Sequence, residues 1–102
     1  MEKKFGVRDI NIINPSGTPT IESTGNLVFN TNGANERVRI KSTGQLRYVT
    51  AFTVATLPTA QVGDITRVTD ANSPTVGATV SGGGAGNALC WYNGSNWTVI
   101  GV

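Results

Sequence analysis

Short apolar stretches alternate with turn residues along the chain, and no window of a dozen residues is both free of breakers and helically spaced. The clearest pattern is Arg37-Val38-Arg39-Ile40-Lys41, where charged and apolar residues alternate strictly. A period of two is the mark of a half-buried strand, so Val38 and Ile40 are expected inward and the basic residues outward. Those cations face water or acidic neighbours in the ordinary reading; an anion site is the sharper alternative. Before this segment, residues 7–13, 20–23 and 26–30 are strand candidates. After it, residues 47–54 form the longest candidate, with Tyr48, Thr50, Phe52 and Val54 on one side. A loop through Leu57-Pro58-Thr59-Ala60-Gln61-Val62-Gly63-Asp64 divides the chain, with the boundary near Pro58. The second half has strand candidates at 65–69, 75–80, 88–92 and 97–100.

Turn chemistry punctuates these segments. Asn14-Pro15-Ser16-Gly17 closes the first, because proline presets φ and glycine accepts positive φ. Asn93-Gly94-Ser95-Asn96 predicts a tight hairpin between Tyr92 and Trp97. Val, Ile and Thr total 32 residues, against 26 for the strong helix formers Ala, Leu, Glu, Lys, Gln, Arg and Met, so the expected fold is all-β with almost no helix.

Only 29 bulky apolar side chains serve a chain of 102 residues, a thin core for the entropy it must offset. Cys90 is the single cysteine and histidine is absent, so an internal disulfide and the usual zinc or haem sites are excluded as staples, and no cofactor is expected. Association with further copies is the remaining route to stability. Lack of histidine also removes the commonest general base and the usual partner of a Ser or Cys nucleophile. The apolar runs are far shorter than the roughly 20 residues of a membrane helix, and no apolar stretch follows Lys3 and Lys4 as a secretory signal requires. Neither a membrane nor export by a signal is expected. Net charge is +2, too weak and scattered for a nucleic-acid footprint.

The chain contains an internal repeat. Ile21-Glu22-Ser23-Thr24-Gly25-Asn26-Leu27-Val28-Phe29 aligns with Ile40-Lys41-Ser42-Thr43-Gly44-Gln45-Leu46-Arg47-Tyr48, keeping Ile, Ser, Thr, Gly and Leu and matching Phe to Tyr. A strand, a Ser-Thr-Gly turn and a second strand are thus used twice. Such units do not bury an apolar face alone, and two copies are fewer than a stable array needs, which again predicts a homo-oligomer.

Asn30-Thr31-Asn32-Gly33-Ala34-Asn35-Glu36-Arg37-Val38-Arg39-Ile40-Lys41-Ser42-Thr43-Gly44 resembles a stretch recurrent in bacteriophage tail-fibre and other virion fibre proteins, of the approximate form G-x-E-R-M-R-I-x-S-x-G. Val38 replaces the usual Met, and the Gly-Ile-Gly that often follows is absent. The second half is similar to a module of phage structural proteins, especially marine ones, through Val62-Gly63, Val68-Thr69-Asp70-Ala71, Gly77-Ala78-Thr79-Val80, Gly82-Gly83-Gly84 and Trp91-Tyr92-Asn93-Gly94-Ser95-Asn96-Trp97. Together the two likenesses cover about residues 20–102. They imply an intertwined homotrimeric β structure on a phage particle. Residues 1–19 would be an attachment arm carrying Lys3, Lys4, Phe5, Val7 and Arg8. Residues 20–57 would be the fibre-like repeat module, and residues 58–102 a small β-sandwich or β-prism-like module ending in the hairpin. Ile21, Leu27, Phe29, Val38, Ile40, Leu46 and Tyr48 would face the shared trimer axis; the plainer alternative is an ordinary monomer core.

Chemistry-bearing residues are few. Gly82-Gly83-Gly84-Ala85-Gly86 lacks the Lys-Ser/Thr ending and helix of a phosphate loop and reads as a flexible turn. Asp64 and Asp70 fall on one face by even spacing, but cap or turn duty is favoured over a carboxylate pair, and no catalytic or metal-binding residue is assigned. Cys90 reads as a small buried hydrophobe. Trp91, Tyr92 and Trp97 flank the hairpin; Trp91 and Tyr92 must face opposite sides of a strand, so at least one is available to stack on a sugar or to anchor a protein contact. The leading expectation is a non-enzymatic decoration, cement or short fibre protein on the virion surface, made in the host bacterial cytoplasm and bound to other capsid or tail proteins. The length is short for a full fibre with shaft, tip and adaptor, which favours decoration. A module recognising host-surface glycan is the alternative, and an enzyme using Asp64 or Asp70 is the weakest reading.

Overall fold

The computed structural model describes residue 6, residues 9–13 and residues 16–102. The expected arm residues Lys3, Lys4, Phe5, Val7 and Arg8 lie outside the described residues. The fold is all-β. Six strands form two antiparallel three-stranded sheets, and a single 3-10 turn at Val54–Thr56 is the only helical element among the described residues.

The first sheet holds β1 (Leu27–Thr31), β2 (Asn35–Ile40) and β3 (Leu46–Tyr48) in that order. Asn32 and Gly33 both take positive φ, the requirement of the tight β1–β2 reversal. The β2–β3 turn is closed by Lys41 N–H to the Gln45 carbonyl at 2.9 Å and Gly44 N–H to the Lys41 carbonyl at 2.8 Å. This is the second copy of the Ser-Thr-Gly repeat. In the first copy, the Ser23 hydroxyl spans the turn to the Asn26 carbonyl at 3.0 Å. Asn26 Oδ1 then accepts Ser42 N–H at 2.8 Å, so the repeated turns lie side by side and are bonded to each other.

The second sheet holds β4 (Ile65–Ala71), β5 (Gly86–Tyr92) and β6 (Trp97–Gly101). The predicted hairpin is present: Tyr92 pairs with Trp97, and Asn93 Oδ1 accepts the N–H groups of Ser95 and Asn96 at 2.9 and 2.8 Å. The buried core lies on one face of this sheet, built from Val68, Ala71, Val80, Ala88, Cys90 and Val99, with Phe52, Val54, Leu57 and Trp97 packed over it.

Several expected strands are shorter or absent, each for a physical reason. The long candidate at 47–54 stops at Tyr48. Phe52 leaves the first sheet to make a parallel bridge to Val68, its N–H on the Arg67 carbonyl and its own carbonyl taking Thr69 N–H, both at 3.0 Å. Burying Phe52 and Val54 in the second sheet's core outweighs extending β3. Residues 75–80 are broken by a turn at Gly77, φ +91°, leaving one bridge from Thr79 to Thr98. Residues 9–13 and 20–23 are not strands, and no backbone ladder pairs with them among the described residues. The Gly-rich segment makes a turn that packs closely at Gly84, where a Cβ would run into the Ala71 carbonyl oxygen, while Gly83 has open space around it.

Candidate functional site

The register of the first sheet decides which side chains share a face. Leu27 is opposite Ile40, Phe29 opposite Val38, Val38 opposite Tyr48 and Ile40 opposite Leu46. Directly opposed residues project to the same side, so these six form one apolar face. Ile21 joins them through a shallow hollow that it lines with Leu27 and Ile40. All seven residues expected at an oligomer interface are therefore brought together. None is buried: Phe29 is 47% exposed, Ile40 41%, Leu46 73% and Ile21 63%. Among the described residues this face is left largely uncovered, short of the packing that stabilises a three-stranded sheet.

The opposite face of the same sheet carries Val28, Arg39 and Arg47. Arg39 stands directly across from Arg47, a like-charge pair, and only Arg39 has an acidic partner, Glu36 Oε1 at 2.6 Å. Arg37, at the irregularity in the β1–β2 register, instead donates through Nε to the Thr31 hydroxyl at 2.9 Å and through Nη1 to the Thr50 hydroxyl at 3.3 Å, residues that lie two positions beyond Phe29 and Tyr48 on their side of the sheet.

On the second sheet the outward face carries Ile65, Arg67, Leu89 and Trp91, by the pairings Ile65 to Trp91 and Arg67 to Leu89. This face meets the apolar face of the first sheet in a groove of about 840 Å³, walled by Val38, Leu46 and Tyr48 with the polar Lys41, Gln45 and Arg47 on one side and by Ile65, Arg67 and Leu89 on the other. Sequence reasoning missed Ile65 and Leu89. The signal available was their alternation with Thr66, Val68, Ala88 and Cys90, which is legible only once the inner face of β4 and β5 is known.

The three aromatic residues near the hairpin separate. Tyr92 and Trp97 meet edge to face, with ring centroids 5.6 Å apart and planes at 67°. They line a cleft of about 460 Å³ with Leu57, Thr79, Ser95 and Asn96. Trp91 lies on the other side of β5, beside Ile65.

Each aspartate singled out in the sequence is engaged through a carboxylate oxygen. Asp64 Oδ2 accepts Gln61 N–H at 3.0 Å, and Asp70 Oδ1 accepts Val54 N–H at 2.8 Å. Both bond backbone amides, the turn and cap duty that the neighbouring residues favour. Burial raises the thiol pKa of Cys90, which suits a core position and opposes nucleophilic use. Among the described residues, no three His, Cys, Asp or Glu side chains gather in a way that could hold a metal ion. No known protein family, curated protein or solved structure matches this chain.

Proposed function

We propose that this chain is a non-enzymatic structural component of a bacteriophage particle: a small homotrimeric decoration, cement or short fibre protein. It sits on the virion surface, attached to other capsid or tail proteins through residues 1–19, after synthesis in the host cytoplasm. The observation that carries the reading is the apolar face of β1, β2 and β3, which a single chain leaves open. Copies placed around a common axis give each such face a partner. The particle setting rests on the resemblance of residues 30–44 and of the second half to virion proteins. Engagement of Asp64 and Asp70 with backbone amides supports a non-enzymatic role.

A second reading, recognition of host-surface glycan, is favoured by the Tyr92–Trp97 cleft, whose uncharged polar rim and aromatic walls suit a sugar ring. Light scattering on the purified chain tests the leading reading. A native mass of three times 10.7 kDa that resists dilution is expected, together with binding to capsids or tails and not to host cells. A stable monomer overturns the structural reading. Cell binding lost on Trp97→Ala favours the glycan reading instead.

A further inference from the structure

The groove between the two sheets has a second feature besides its apolar walls. Arg67 projects into it with an incomplete set of partners. Its Nη2 donates to the Val49 carbonyl at 3.3 Å, while its Nε is enclosed and has no hydrogen-bond partner. Among the described residues, no carboxylate pairs with it. Lys41 and Arg47 line the same groove, so its apolar walls are set among cations, which calls for an occupant that is apolar on one side and brings an acid on the other.

Residues 9–13, Asp9-Ile10-Asn11-Ile12-Ile13, have that form. They belong to no helix or strand, and Ile10 is 70%, Ile12 45% and Ile13 82% exposed. In an extended chain Ile10 and Ile12 project to one side, and Asp9, Asn11 and Ile13 to the other. The two-walled groove matches both sides: Ile10 and Ile12 fit the wall of Val38, Leu46 and Tyr48. Asp9 and Ile13 fit the wall where Arg67 stands on the same face as Ile65 and Leu89. In this chain the groove is open while its own segment is exposed elsewhere, so the pairing is one between copies.

We propose that the groove of each chain receives residues 9–13 of a second copy, with Ile10 and Ile12 on its apolar walls and the Asp9 carboxylate on the Arg67 guanidinium. This rests on the homo-oligomeric reading above and adds strand exchange to it.

Mixed cross-linking of full-length chains tests the proposal. On a Cys90→Ala background, one chain carries Ile12→Cys and a differently tagged chain carries Leu46→Cys. Mild oxidation of the mixture is expected to give a disulfide-linked species bearing both tags. In parallel, Asp9→Arg alone is expected to raise the dissociation concentration about tenfold, and adding Arg67→Asp to restore it. An intact oligomer with no two-tag species and no rescue overturns the strand exchange and leaves the oligomer reading standing. A monomer in light scattering overturns both. A disulfide formed only within a doubly substituted chain assigns the segment to its own groove and overturns the exchange.

Discussion

Asp70 Oδ1 takes the backbone N–H of Val54 at 2.8 Å, so a side chain of β4 holds the first residue of the 3-10 turn. The turn carries Val54 onto the core face of the second sheet, next to Phe52 and Leu57. Asp70→Ala removes a charge-assisted bond and leaves a half-buried amide unpaired, and is expected to cost about 2 kcal/mol in urea unfolding. Asp70→Asn keeps an acceptor oxygen and should lose less than half of that.

Gly84 marks the tightest approach in the fold. Its N–H reaches the Asp70 carbonyl at 3.0 Å, and an added Cβ would meet the Ala71 oxygen at 2.4 Å, with backbone on both sides of the contact. Gly84→Ala is expected to destabilise by about 2 kcal/mol or more through forced separation of β4 from the corner. Gly83→Ala meets no atom but suffers a positive φ, +92°, and should cost about 1 kcal/mol. Thermal melts of the two variants should rank in that order.

Much of this was legible in the residues, and what was not has a common cause. The alternation around Val38 and Ile40 and the Asn93-Gly94 turn act locally, so β2 and the last hairpin follow from the sequence. The Ile21 to Phe29 repeat likewise identified the apolar face, because a repeated pattern repeats its facing. The end of β3 was not legible: Thr50, Phe52 and Val54 continue an excellent strand pattern, and only competition from the second sheet's core diverts them. The groove was hidden for the same reason, since Ile65 and Leu89 acquire a common wall with Tyr48 only through packing of distant elements.

Core and interface substitutions should separate in two measurements. Val99 is 1% exposed within the second sheet, so Val99→Ala is expected to cost about 2 kcal/mol by cavity formation while leaving the native mass unchanged. Phe29 is 47% exposed in the single chain, and Phe29→Ser should instead lower the native mass toward one chain at micromolar concentration. Light scattering paired with urea titration distinguishes the outcomes. A Phe29→Ser protein of unchanged mass would remove this face from the interface.

Cys90 gives a pH dependence of definite sign. Burial holds its thiol neutral in the folded chain at pH values where an unfolded thiol, of ordinary pKa about 8.5, is already ionised. Below that range both states carry the proton and the group has no effect. As pH rises through it the unfolded state releases its proton first, so stability falls until the folded thiol also ionises. Cys90→Ala should flatten this alkaline loss, whatever its offset at neutral pH. Native protein should also react with a thiol reagent only as fast as it unfolds.

Thr66 shows where the core can be improved. It is 2% exposed, between Val68 and the Cys90 strand, and its hydroxyl has no hydrogen-bond partner among the described residues. The β-branched shape fits the strand, while the oxygen adds an uncompensated desolvation cost. Thr66→Val keeps the shape and removes that cost, and is expected to raise unfolding stability by about 1 kcal/mol without altering the native mass. Thr66→Ser keeps the hydroxyl and loses a buried methyl, so it should destabilise by about 1 kcal/mol. Opposite shifts in the two urea midpoints test the assignment; a destabilised Thr66→Val would show that the hydroxyl is bonded in solution, with an internal water as its partner.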